Sequence, residues 1–146
     1  MKTRKVQAYD WENIAKALEV AVEEVREVCP SLAVLVCPPE TKIVREGEPG
    51  VDVFIVGKGG LAVKHSVMVF FSKDVARLKP GDVFGEVGFF VEQGRTATVV
   101  TAGPCEIYRI LADEMHALIE RHADLRLRLE EMGRQRLQAL SAAVTS

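Results

Sequence analysis

The chain has 146 residues, 48% of them hydrophobic and 27% charged, with a formal net charge of -2. That length suits one domain over residues 1–146 with a core of its own, and the near-neutral balance supplies no basic field for a polyanion. No apolar run approaches the roughly 20 residues of a membrane-crossing helix. The basic start Met1–Lys5 lacks the apolar segment of a secretory leader. Three widely spaced cysteines, Cys29, Cys37 and Cys105, form no Cys-x-x-Cys. They predict a reducing, cytoplasmic setting rather than a disulfide framework or a zinc site.

Residues 10–29 read as one amphipathic helix. Asp10 is the expected N-cap, and Trp11, Ile14, Leu18, Ala21, Val25 and Val28 recur at three- and four-residue steps until Pro30. From Leu32 to Ile110 the texture changes to short apolar runs divided by Pro and Gly turns, which predicts an antiparallel sandwich or barrel. The expected strands are 32–37, 41–45, 51–57, 60–65, 67–71, 75–78, 82–84, 96–101 and 105–110. Two helices within residues 112–142 close the chain, the first capped by Asp113 and the second by Asp124 after a break at His122–Ala123. Leu125, Leu129, Met132, Arg136 and Leu140 share one stripe of the second, with Arg136 intruding among apolar residues. The predicted class is therefore mainly β with flanking helices, a β-roll between one N-terminal and two C-terminal helical segments.

The densest chemistry lies in Gly85-Glu86-Val87-Gly88-Phe89-Phe90-Val91-Glu92-Gln93-Gly94-Arg95-Thr96-Ala97-Thr98-Val99. Glu86 and Arg95 stand nine residues apart in largely apolar surroundings. Residues 86–90 can form a single helical turn, whose free N–H groups suit an anion. Arg95 can pair two phosphate oxygens, and Glu86 can accept hydrogen bonds from a sugar hydroxyl. That division of labour describes a nucleotide monophosphate pocket. An internal Glu86–Arg95 ion pair is the structural alternative.

These residues resemble the cyclic nucleotide-binding domain family. Phe84-Gly85-Glu86-Val87-Gly88-Phe89-Phe90 and Arg95-Thr96-Ala97-Thr98-Val99 follow the order of its phosphate-binding cassette, here spanning 84–99. Val44–Val56 is similar to its Gly-Glu turn, with one extra residue before Asp52. Gly59–Val63 and Leu78–Phe84 match its hairpin and its Gly-Asp turn. The resemblance implies a jelly roll that binds cyclic AMP or cyclic GMP without catalysis and passes on a signal. It implies Glu86 on the ribose 2′-hydroxyl and Arg95 on the cyclic phosphate. Phe84, Gly85, Val87 and Gly88 would shape the pocket and present backbone, and Thr96 and Ala97 would complete the phosphate and base contacts. Val87, Phe89 and Phe90 would form a hinge toward the helices. Gly94 stands where many members have Pro, and the first helix lacks the usual Pro-Leu-Phe start. No helix-turn-helix, kinase domain or channel segment follows the last helix, so DNA binding by this chain alone is not expected.

Other chemistries find little support. His65, His116 and His122 show no His-x-His ligand pair, and Ser66 and Ser72 lack a nucleophile-elbow context. Neither a metal, a resident cofactor nor a catalytic residue is expected. Arg126, Arg128, Arg134 and Arg136 interleave with acids and read as a solvated helix face. The last helix either packs on the roll or also pairs with a second copy. A protein-interaction scaffold with an effector partner is the competing class to a nucleotide sensor.

Overall fold

The computed structural model describes residues 1–68, 71–90 and 94–145. The strands are β1 (Lys2–Arg4), β2 (Ala33–Cys37), β3 (Lys42–Val44), β4 (Val53–Lys58), β5 (Leu61–Met68), β6 (Phe71–Leu78), β7 (Val83–Phe84), β8 (Thr98–Thr101) and β9 (Cys105–Ile110). The helices are α1 (Ala8–Leu18), α2 (Val22–Val28), α3 (Glu86–Phe90), α4 (Ala112–Arg121) and α5 (Ala123–Thr145). The strands form a five-stranded sheet in the order β1-β2-β9-β4-β7 and a four-stranded sheet in the order β3-β8-β5-β6. The recorded pairings are antiparallel, giving the jelly roll expected.

The inner strands β2 and β4 of the five-stranded sheet are buried on both faces, which explains why they read as nearly continuous apolar runs. In β4, Phe54 and Val56 face the interior of the roll with Leu35, Leu61, Val99 and Ile107. Val53 and Ile55 face outward into a second core with Tyr108, Ile110 and the helical residues Ile14, Leu18, Met115, Leu118, Leu125 and Leu129. One sheet therefore mechanically joins the roll to the helices.

The N-terminal helical segment differs from its expectation. It is two helices, because Glu19 turns left-handed at φ 57° and its N–H bonds back to Ala15 and Lys16 carbonyls. Asp10 is not the N-cap. Gln7 is, and Asp10 sits in the first turn with its carboxylate accepting the Gln7 N–H at 2.7 Å. Strand β1, absent from the sequence reading, is a basic segment that pairs with β2 rather than burying apolar side chains. The expected strands 60–65, 67–71 and 75–78 are one long hairpin of β5 and β6, and residues 69 and 70 of the middle one lie outside the described residues. Charged Lys64, Lys73, Asp74 and Arg77 broke the alternation there. Helix α4 is capped by extended Leu111 with Asp113 already in its first turn, and α5 starts at Ala123 with Asp124 inside it.

Candidate functional site

Helix α3 follows β7 through Gly85, whose φ of +86° favours glycine. A Cβ there would lie 2.8 Å from the Asp52 carbonyl oxygen and 3.1 Å from Arg95 Nη1. Phe84 anchors the turn by stacking on Phe54 at 5.1 Å between centroids. The turn places Glu86 first in α3, with Gly88 in its middle.

Glu86 is 1% exposed, and neither carboxylate oxygen makes a hydrogen bond with a described residue. Its one partner among the described residues is Arg136 of α5, whose Nη1 lies 2.6 Å from Oε2 as an ion pair out of hydrogen-bond alignment. Leaving a buried carboxylate short of hydrogen bonds is costly. The Glu86–Arg95 ion pair of the structural alternative is not formed.

Arg95 is 9% exposed, and among the described residues its guanidinium donates only to two backbone carbonyls, Gly85 O and Asp52 O, each at 3.1 Å. Its Cζ stands 5.8 Å from the centre of the Phe54 ring. Burial pulls its pKa below the ordinary arginine value, although the nearby Asp52 and Glu86 carboxylates oppose the shift. The guanidinium stays charged at any working pH. Gly50 leaves it room, since a Cβ at that residue would lie 2.6 Å from Arg95 Nε. The Arg95 backbone is fixed to the turn after β3, its N–H on Glu48 O and its carbonyl on the Gly47 N–H.

Phe84, Gly85, Glu86, Val87, Arg95, Thr96 and Ala97 all line one cavity, closed on the helical side by Arg136, Ala139 and Leu140 of α5. Its empty space is about 640 Å³ counting the part open to solvent, within the range of small-molecule sites. The walls are largely aliphatic, from Val44, Val63, Val75, Leu78 and Val99, with charge confined to Glu86, Arg95 and Arg136. No group of three or more metal-ligating side chains occurs among the described residues. Residues 91–93 of the cassette loop lie outside the described residues.

Two site residues escaped the sequence reading. Arg136 was assigned to a solvated face, yet it turns inward; its place on the apolar stripe was the available signal. Asp52 lends its carbonyl to Arg95 and its Oδ1 to the N–H of Ala112, the first residue of α4, at 3.2 Å. It thus links Arg95 to a C-terminal helix. The other arginines of α5 do form surface pairs, Arg126 with Glu130 and Arg134 with Glu131. Arg128 reaches further, donating to Leu18 O at 2.6 Å to cap α1. Phe89, expected as part of a hinge, is buried in the helical core and meets the ring of His116 at 4.2 Å.

The fold is thus a β-roll whose five-stranded sheet carries helices, with a glycine turn presenting a buried Glu and Arg to a largely aliphatic cavity. The profile of the Cyclic nucleotide-binding domain family matches residues 34–122, and the chain belongs to that family. It is 29% identical over 117 residues to the cAMP-activated global transcriptional regulator CRP of Pasteurella multocida, covering 75% of this chain and 53% of that protein. It is 30% identical over 108 residues to the CRP of Salmonella typhimurium, covering 73% and 51%. The chain spans about half the length of these curated relatives. The Thermus thermophilus Catabolite Activator Protein shares the fold at TM-score 0.74 and 23% identity, over 88% of this chain and 62% of that one. So does the regulatory subunit of a cAMP-independent protein kinase A from Trypanosoma brucei, at TM-score 0.73 and 20% identity, over 85% and 46%. No described helix is long and apolar enough to cross a membrane.

Proposed function

We propose that this chain is a non-enzymatic sensor that binds cyclic AMP or cyclic GMP between β7–α3, residues 95–97 and α5. The observation that carries the reading is the buried Glu86 carboxylate, which has no hydrogen bond from a described residue and faces the cavity beside Arg95. A ribose hydroxyl would supply the missing donor. The cyclic phosphate carries one negative charge and would meet Arg95, whose present acceptors are neutral carbonyls. Gly85, Val87 and Gly88 bring α3 backbone to the ligand, and Phe84, Thr96 and Ala97 frame the phosphate and base. The cavity lining has no His, Cys or Ser among the described residues, which favours binding over catalysis. The three cysteines are free and buried, compatible with a reducing cytoplasm.

Binding has two routes to the helices. A hydroxyl on Glu86 competes with Arg136 and so acts on α5. A phosphate on Arg95 competes with the Asp52 carbonyl, and Asp52 holds the first N–H of α4. Each route gives the ligand different contacts in two helix arrangements, which is the requirement for a population shift. The partners of those helices would be a second copy or an effector protein.

Likeness to a subunit of a cAMP-independent kinase supports a scaffold reading instead. That reading places Arg95 on Glu86, whereas Arg95 bonds carbonyls and Glu86 pairs with Arg136. Titration calorimetry with each nucleotide decides between them. Binding of either is expected, with Arg95→Ala weakening it by about 2–5 kcal/mol. No heat from either nucleotide at millimolar concentration would overturn the sensor reading.

A further inference from the structure

The Thr96 carbonyl is held by a histidine that does not line the cavity. His65, on β5, brings Nδ1 to 3.0 Å from the Thr96 carbonyl oxygen. The same nitrogen lies 3.0 Å from Oε1 of Glu46. Both neighbours are acceptors, so Nδ1 carries the proton and is shared between them. Glu46 is itself tied down, its Oε1 accepting the Ser66 N–H and its own N–H donating to Thr98 Oγ1, each at 3.0 Å. The turn after β3, strand β5 and the chain leading into β8 therefore meet at one imidazole.

The Thr96–Ala97 peptide is trans and planar, so its carbonyl and its N–H point in opposite directions. With the carbonyl turned to His65, the Ala97 N–H points away from it, and Thr96 and Ala97 both line the cavity beside Arg95. We propose that His65 is a positioning residue for this cavity, acting through the Thr96 carbonyl to set the Thr96–Ala97 peptide as a donor for the ligand's anionic group. The proposal rests on the nucleotide reading of the cavity. His65 makes no ligand contact; its loss frees the peptide to rotate while the β5–β8 ladder persists.

The test compares the full chain with His65→Phe and His65→Asn by calorimetric titration with cyclic AMP and with cyclic GMP, alongside thermal unfolding. An asparagine places Nδ2 as many bonds from the backbone as Nδ1 and can donate to the same carbonyl. His65→Phe is expected to weaken binding by about fivefold to tenfold, the worth of one hydrogen bond, with little change in melting temperature. His65→Asn is expected to recover most of that loss. Nitrogen NMR of the unliganded protein is expected to show His65 protonated at Nδ1. A wild-type chain that binds while His65→Phe binds within about twofold of it overturns the positioning role alone, since that change is below one hydrogen bond. Equal losses in both variants, or His65 protonated only at Nε2, overturn it too. A wild-type chain that binds neither nucleotide overturns the nucleotide reading and this inference with it.

Discussion

Two buried carboxylates, Asp10 of α1 and Glu86 of α3, are treated very differently. Asp10 is 0% exposed and fully partnered. It accepts from Arg4 Nη1 at 2.7 Å, Arg4 Nη2 at 2.8 Å, the Gln7 N–H at 2.7 Å and the Tyr108 hydroxyl at 2.8 Å. Arg4 also bonds Glu106, and Asn13 donates to the Tyr108 oxygen. Glu86 is just as buried but has one ion-pair partner, drawn from a separate helix, and no hydrogen bond from a described residue. A saturated network fixes structure, here docking β1 and α1 on β9. An unsaturated carboxylate beside a cavity is a place for something else to bind.

The contrast predicts opposite mutational signatures. Asp10→Asn should cost about 3 kcal/mol of stability, the low end for breaking a buried pair because Arg4 is partly exposed and keeps Glu106. Denaturant unfolding measures this, and nucleotide affinity should be unchanged. Glu86→Gln should leave stability within about 1 kcal/mol, since its carboxylate lacks hydrogen bonds from described residues and its partner Arg136 is a third exposed, so little charge is left buried. It should weaken nucleotide binding by about 1.5–3 kcal/mol, the value of a hydrogen bond to a charged group.

Tyr108→Phe removes one donor from Asp10 and should cost about 1 kcal/mol in the same unfolding assay. Burial and the Asp10 hydrogen bond oppose ionisation of Tyr108 and push its pKa up to about 12, with Asn13 opposing the rise. The phenol thus remains a donor throughout the ordinary range.

Acidification sharpens the comparison further. Burial favours the neutral form of Asp10, but the bonds from Arg4, Gln7 and Tyr108 together outweigh it and leave the pKa below 3.8. A depressed folded-state pKa means that the stabilisation is complete above the unfolded-state value of about 3.8 and fades as pH falls through the folded-state value. The stability gap between wild type and Asp10→Asn should therefore be constant near neutrality and close below about pH 4. A gap that widens on acidification would contradict this network.

What the sequence revealed follows from distance along the chain. That Phe84 through Val87 and Arg95 through Ala97 cluster, as they do around one cavity, could be read because a glycine turn, one helical turn and one strand are built from neighbouring residues. The sheets were legible because strands such as Val53-Phe54-Ile55-Val56 bury both faces. Partnerships across folded elements were not. Arg136 meets Glu86 only once α5 lies against α3. Asp52 and His65 act through backbone carbonyls, which carry no residue signature. Asp10 has the residue type of an N-cap but the geometry of a first-turn acid, because Gln7 already takes the cap. The β5–β6 hairpin was cut into pieces by outward charges on strands held by backbone pairing.

The ligand-induced change in melting temperature, measured on wild type, Asp10→Asn and Glu86→Gln with saturating cyclic nucleotide, tests the central claim most directly. The account predicts a rise for wild type, the same rise from a lower baseline for Asp10→Asn, and a lost or much reduced rise from an unchanged baseline for Glu86→Gln. A Glu86→Gln chain that keeps the full rise, or whose baseline falls as far as that of Asp10→Asn, would contradict it by making Glu86 a structural carboxylate.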